Sequence, residues 1–391
     1  MTRLSGLVVD VHCHVGLRGD VWPQWGTLSR AFLDSSTAKV FLTYSRVPQD
    51  QFTDPVLKER TEEVLSETTV DKVVCLAMDH VHDESGTPRP DLTNMYVSHD
   101  YVLELRRTVG DKVLLGASVH PYAADFTDRV REAVDQGAVL LKWLPSSQDI
   151  NLADPRSARA MRELAHLGPG GGALPLLLHT GAEYAVPPAS DESPSMDFHS
   201  WTRWDAFWNL FRGRKKWRKP DVKTVEKNVH SAVSDGAVII FAHCGLPYFA
   251  SGPLSGWLEH SDFECVCDYL AENDGASDGT SGYFADVAAC CTPFREGYFP
   301  KISRLPTDRL LFGSDFPTPV FELSADADEV WRDFKAVLGG DFDRVVVPQD
   351  NLLDVNLREL RRAFPNHPMF TNFGELWDRI SGTAGPVDDN E

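Results

Sequence analysis

Eight short apolar runs punctuate the chain, and their spacing predicts its architecture. They are LVVDVHCH (7–14), KVVCLAMDH (72–80), VLLGASVHP (113–121), AVLLKWLP (138–145), LPLLLHT (174–180), AVIIFAHC (237–244), GYFADVAAC (282–290) and RLLFGSDFP (309–317). Most are nearly continuous in apolar residues rather than alternating, as expected of strands covered on both faces. Between them, DYVLELRRTVG, FTDRVREAVDQG and PRSARAMRELAHLG repeat apolar positions at helical spacing and end in glycine, where a helix can stop. Eight such units predict an α/β fold, a (β/α)8 TIM-type barrel. The glycine run GPGGG at 168–172 reads as a loop before the fifth strand.

Two stretches exceed the repeating unit. The connection between the fifth and sixth strands, 182–236, is longer than a barrel helix needs and reads as an insertion or cap. Within it Phe198, Trp201, Trp204 (or Asp205), Phe207, Trp208 and Phe211 recur at helical spacing, and six basic residues follow between Arg212 and Lys219. This segment reads as a helix on the barrel mouth or on a partner subunit; an interfacial membrane helix and an acidic-partner site compete with that reading. After the eighth strand, DNLLDVNLRELRRAFPNHPMFTNFGELWDRI predicts barrel-covering helices, so residues 1–380 form one domain and 381–391 a frayed tail.

Polar residues at the strand ends carry the chemistry. His12 and His14 close the first run, and strand alternation places both on one face with Cys13 opposite. Taken alone they are either half a metal site or two hydrogen-bonded histidines. Lys142 lies late in the fourth run, His179 ends the fifth, His243 the sixth and Asp315 the eighth. In a parallel barrel all these ends face one mouth, the face where barrel enzymes do chemistry. Five ligand-type residues and a lysine converging there predict a metal site.

Composition narrows the partners. No apolar stretch of about 18 residues exists and the N-terminus has no signal-peptide pattern, so a soluble cytoplasmic protein with no membrane partner is expected. A formal charge of −20 repels phosphate backbones and argues against nucleic acid. The 7 cysteines, two of them adjacent at Cys290 and Cys291, lack disulfide-framework or zinc-ribbon spacing and read as reduced thiols. A small-molecule substrate and a homo-oligomeric assembly are the remaining partner expectations.

The motifs DVHCH, LKWLP, LLLHTG, FAHCG and LLFGSDFP together resemble those of the amidohydrolase superfamily, and more closely its amidohydrolase-related branch of aminocarboxymuconate-semialdehyde decarboxylase-like enzymes. The likeness spans roughly residues 5 to 320. It implies His12, His14 and His179 as metal ligands and Asp315 as ligand and proton shuttle. By the same resemblance His243 is a second-metal ligand or the group that polarises or deprotonates beside a single ion. Zn²⁺ suits the imidazole and carboxylate set, with Mn²⁺ or Fe²⁺ as alternatives, and it brings the pKa of a coordinated water to about 7. In binuclear members of the superfamily a fourth-strand lysine is carboxylated and bridges two ions; Lys142 occupies that place, though the branch resemblance favours one ion and a plain cationic lysine. A buried Lys142 paired with Asp286 is the purely structural alternative.

The implied function is hydrolysis of an ester, lactone or amide bond by an activated water, with Asp315, His243 and Lys142 as catalytic groups. Non-oxidative decarboxylation of an unsaturated or aromatic carboxylic acid is the competing chemistry. Substrate contacts are expected from Arg295, Trp143 and Glu183, with Asp79, His80 and His120 as further loop candidates at the mouth.

Overall fold

All eight apolar runs become strands of one parallel sheet in the computed structural model, which describes residues 3–180, 185–190, 193, 221–246, 262–272, 279–292, 295–320, 332, 336 and 349–383. Ten strands occur among these residues: β1 (Val9–His14), β2 (Gly26–Leu28), β3 (Lys72–Leu76), β4 (Met95–Val97), β5 (Val113–Ala117), β6 (Ala138–Trp143), β7 (Leu176–Leu178), β8 (Val238–Phe241), β9 (Gly282–Asp286) and β10 (Leu310–Leu311). The large sheet runs β1-β3-β5-β6-β7-β8-β9-β10. It closes on itself through Val11 N–H to Phe312 O at 3.0 Å, Asp315 N–H to His12 O at 2.7 Å and His14 N–H to Phe316 O at 2.9 Å. The fold is therefore a (β/α)8 barrel, with no free sheet edge at the seam.

Side chains sort onto its two faces. Val9, Val11, Val74, Leu114, Leu140, Leu177, Ile240, Phe284 and Leu311 fill the inside as one apolar cluster. Val73, Leu115, Leu141, Leu176, Ile239 and Leu310 face outward, onto helix residues such as Tyr101, Leu105, Val130, Ala133 and Val229. The helices begin close to where the sequence pattern places them; the first stops at its glycine, whereas Pro155–Glu163 ends five residues short of Gly168. His99–Val109 is capped by Ser98, whose hydroxyl accepts from Tyr101 N–H, and stops at Gly110 with φ 105°. Phe126–Asp135 and Pro155–Glu163 follow β5 and β6.

The floor of the barrel is built by the helix Asn372–Ile380, whose Phe373, Leu376, Trp377 and Ile380 join the inner cluster beside Leu4. Asp378 in that helix accepts from Leu4 N–H at 2.9 Å, Ser5 N–H at 3.0 Å and the Ser5 hydroxyl at 2.6 Å. Burying each of those large apolar side chains contributes about 1.5–3 kcal/mol.

Three features differ from the sequence pattern. The eighth run yields only Leu310–Leu311 as regular strand, and further along it Asp315 turns the backbone to φ 58°. A two-stranded antiparallel ribbon, β2 with β4, flanks the barrel. The GPGGG loop contains a 3-10 turn at Pro169–Gly171. Of the long fifth connection, the helix Val222–Ser234 is described, and it packs Val225, Val229, Ala232 and Val233 inward. The aromatic and basic segment 198–219 lies outside the described residues, as does Glu183. Among the described residues, no helix is long and apolar enough to cross a membrane.

Candidate metal centre

A one-residue bulge aims the first two site residues. β1 pairs with β3 as Asp10 with Val73 but Cys13 with Cys75, so β1 spends three steps where β3 spends two. Val9 and Val11 lie in the inner cluster, yet Cys13 lies in the outer one. Regular alternation from Val11 would send His12 and His14 outward among the helices; the extra residue reverses the phase and turns both inward. Gly313 leaves the room they need. A Cβ there would stand 2.9 Å from the Cβ of His12 and 3.0 Å from that of Ala288.

Three donor atoms then form a near-equilateral triangle. His12 Nε2 and His14 Nε2 are 3.2 Å apart, and each lies 3.4 Å from Asp315 Oδ1. A tetrahedral ion held at about 2.0–2.1 Å from each ligand would set its ligands about 3.3–3.4 Å apart, so these side chains already hold the edges of a coordination tetrahedron. Asp315 Oδ2 is occupied by the Thr318 hydroxyl at 2.7 Å, which turns Oδ1 toward the imidazoles. His243 completes a second grouping, in which donor atoms of His12, His243 and Asp315 lie within 4.8 Å of one another. His179 stands beside His243, ring centroids 5.3 Å apart. Both His243 and Asp315 sit at left-handed φ, 57° and 58°, strained for residues with a Cβ and concentrated here at the mouth.

Protonation suits a cation. Burial, the Lys142 ammonium and His14 push His12 well below its ordinary pKa. Burial followed by His243 and Lys142 does the same to His179, and burial lowers His243 to about 3. All three rings are neutral at pH 7. Burial opposes ionisation of Asp315, but the facing imidazoles of His243, His14 and His12 hold its carboxyl well below the ordinary range. His12 donates Nδ1–H to Asp286 Oδ2 at 2.8 Å and His243 donates Nδ1–H to Ala288 O at 3.2 Å, so each keeps an Nε2 lone pair for a cation or a proton. Neutral imidazole lone pairs beside an anionic carboxylate, oriented from behind by buried acceptors, fit a divalent transition metal.

The remaining sequence candidates separate. Lys142 is fully buried and inside the barrel, its Nζ 3.3 Å from His12 Nε2. Asp286, the expected structural partner of Lys142, receives the His12 ring at Oδ2 and the His243 and Ala288 amides at Oδ1. Trp143 needs correction: as the neighbour of Lys142 on β6 it faces outward, fully buried in the helix-side cluster, with its indole N–H given to Val119 O at 2.9 Å. It packs the barrel wall, on the face away from Lys142. Arg295 is buried, donates to Ala289 O at 3.2 Å, and lies close enough to His243 for its charge to help lower that ring. Asp79 and His120 are tied to structure. Asp79 gathers His80 N–H, His120 N–H and Arg129, while His120 donates to Gln148 O and accepts from Tyr122 N–H. These bonds strap the loops after β3 and β5 to the start of the loop after β6. His80 stacks on Tyr96, centroids 3.9 Å apart.

Two carboxylates behind the donors escape the motif reading as site residues. Asp286 orients His12, and Asp10 accepts from both His12 N–H and Ser314 N–H. Their signal was present: each is an acidic residue inside an otherwise apolar strand.

No protein-family model and no curated protein matches this chain. Among solved structures it is similar to the IDCase of Metarhizium anisopliae in apo form, at 14% identity over 96% of this chain and 97% of that one, TM-score 0.46. It is also similar to 5-carboxyvanillate decarboxylase of Novosphingobium aromaticivorans with bound manganese, at 13% identity over 95% and 97%, TM-score 0.45. An amidohydrolase of Burkholderia multivorans with bound zinc is similar at 12% identity over 96% and 99%, TM-score 0.45.

Proposed function

We propose that this chain is a metal-dependent hydrolase of the amidohydrolase type, cleaving an ester, lactone or amide bond of a small molecule in the cytoplasm. The observation that carries this reading is the donor triangle of His12 Nε2, His14 Nε2 and Asp315 Oδ1, with His243 beside it at the barrel mouth. His12, His14 and Asp315 would hold one divalent ion, Zn²⁺ first and Mn²⁺ or Fe²⁺ next, with His243 and His179 as candidate further ligands. Such an ion, when bound, polarises a carbonyl and lowers the pKa of water.

The residues of the chain supply the proton path. Asp315, ionised at neutral pH, accepts the proton of the attacking water and returns it to the leaving oxygen or nitrogen as the carbonyl–heteroatom bond breaks. His243 has its Nδ1–H committed to Ala288 O, so its Nε2 acts as acceptor or ligand and not as donor. Lys142 places a cation inside the barrel beside His12, where it attracts the oxyanion or carboxylate of a bound substrate.

Decarboxylation is the second reading, and the placement of Arg295 and Lys142 favours it. Two buried cations near His243 and His12 suit a substrate carboxylate. A binuclear centre with carboxylated Lys142 is the corresponding alternative in metal count, and we infer one ion per chain. A panel of lactones, amides and unsaturated or aromatic carboxylic acids, assayed with metal-loaded protein in ¹⁸O-water while CO₂ is followed, separates the chemistries. Label entering a product carboxylate supports hydrolysis; stoichiometric CO₂ with no such label overturns it.

A further inference from the structure

Along the same stretch of β1 as the bulge, the ladder across the opposite edge, the seam to residues 312–316, is interrupted, and one side chain bridges the gap. At the seam, Val11 N–H reaches Phe312 O and His14 N–H reaches Phe316 O, but His12 N–H and Ser314 N–H have no carbonyl partner across it. Both point at Asp10 Oδ1, each at 3.0 Å. Asp10 is fully buried. Each amide stands next to a donor of the triangle: His12 carries one itself, and Ser314 precedes Asp315, whose own N–H is bonded to His12 O at 2.7 Å. A single carboxylate oxygen thus pins the two strands that carry the donors, at the point where the ladder between them is broken.

We propose that Asp10 is the positioning residue of this centre: its carboxylate oxygen bridges the interrupted seam and fixes the spacing between the His12 and Asp315 donors. The inference rests on the metal reading above and goes beyond it, since Asp10 contributes no ligand atom. It acts as an acceptor at one place, and its charge is incidental to that role. A buried amide left without its acceptor drives local rearrangement, because an orphaned N–H is costly. Here that rearrangement moves a ligand.

The test separates position from charge. Asp10→Asn keeps an oxygen at the seam and discards the charge; Asp10→Glu keeps the charge and moves the oxygen by one methylene; Asp10→Ala removes both. Zn²⁺ affinity is read by competition with a chromophoric chelator, and amide hydrogen exchange at His12 and Ser314 is read in metal-free protein. Asp10→Asn is expected within about threefold of the parent in affinity, whereas Asp10→Glu and Asp10→Ala weaken Zn²⁺ binding by about 10–100-fold and expose both amides to exchange. If Asp10→Ala does not fold, the Asn and Glu variants still decide. Parent-like affinity and protection in Asp10→Glu, with losses in Asp10→Asn, overturn the proposal. A parent protein that takes up no Zn²⁺ refutes the metal reading instead, and exchange at the two amides then decides the clamp alone.

Discussion

His12 and Asp286 meet at 2.8 Å with neither exposed to solvent, and the direction of that hydrogen bond decides what His12 can do. Asp286 Oδ1 is already taken by the amides of His243 and Ala288, at 2.8 and 3.0 Å. An asparagine there must keep its oxygen toward those two donors, so its NH₂ faces His12 Nδ1. The ring then carries its proton on Nε2, and the lone pair of the donor triangle is lost. Asp286→Asn is expected to fold and to bind Zn²⁺ about 10–100-fold more weakly, with the tautomer change visible in ¹⁵N spectra of the His12 ring. Unchanged affinity would refute the role assigned to this pair.

Gly313→Ala tests the space behind His12. The added methyl meets the Cβ of His12 on β1 at 2.9 Å and that of Ala288, in the turn after β9, at 3.0 Å; both are backbone-attached atoms with little freedom to yield. Overpacking of this kind costs about 1–3 kcal/mol, and metal affinity should fall with it. Urea denaturation together with metal titration checks both; a variant with parent stability and affinity would show that the contact relaxes freely.

Trp143 belongs to the wall and not to the mouth. Trp143→Phe orphans the Val119 carbonyl and is expected to lower stability by about 1–3 kcal/mol while turnover and KM stay near those of the parent. A selective loss in KM at parent stability would put the indole back among the substrate contacts.

The buried histidines set a pH dependence. His243 is lowered from 6.5 to about 3, so between those values the unfolded chain binds a proton that the folded chain does not. Stability of the metal-free protein therefore rises with pH across that window and is lost as pH falls; His12 and His179 act in the same direction. Asp315, held well below 3.8, also contributes above that pH and loses its contribution on acidification. Asp10, raised to about 6 by burial, opposes them between 3.8 and 6. The melting temperature should be higher at pH 7 than at pH 4.5, and His243→Asn should narrow the gap. The same gap in the variant would mean that the ring is not buried neutral.

The barrel was legible because its strands are buried on both faces and read as continuous apolar runs, with Gly110 marking a helix end and Pro155 a helix start. His12, His14, Lys142, His179, His243 and Asp315 stood out for the opposite reason, as polar groups closing those runs. What escaped the pattern depends on phase. In VVDVHCH nothing announces an inserted residue, so the inward turn of the histidines becomes visible only against the partner strand. Trp143 was misplaced by the same ambiguity: next to Lys142 on β6, it lies on the opposite face.

The floor of the barrel has a consequence for the order of synthesis. β1 precedes its seam partners at Phe312–Phe316 by some 300 residues and its floor residues Phe373, Leu376 and Trp377 by some 360. At about 5–20 residues per second, the ribosome leaves the first strand waiting for many seconds with one edge unpaired and its valines uncovered. A nascent chain halted before residue 310 has neither the closing strand nor the plug, and it carries the aggregation hazard of an open sheet. The Asp378 contact to Leu4 and Ser5 is then a late latch, formed only once the last floor helix has left the exit tunnel.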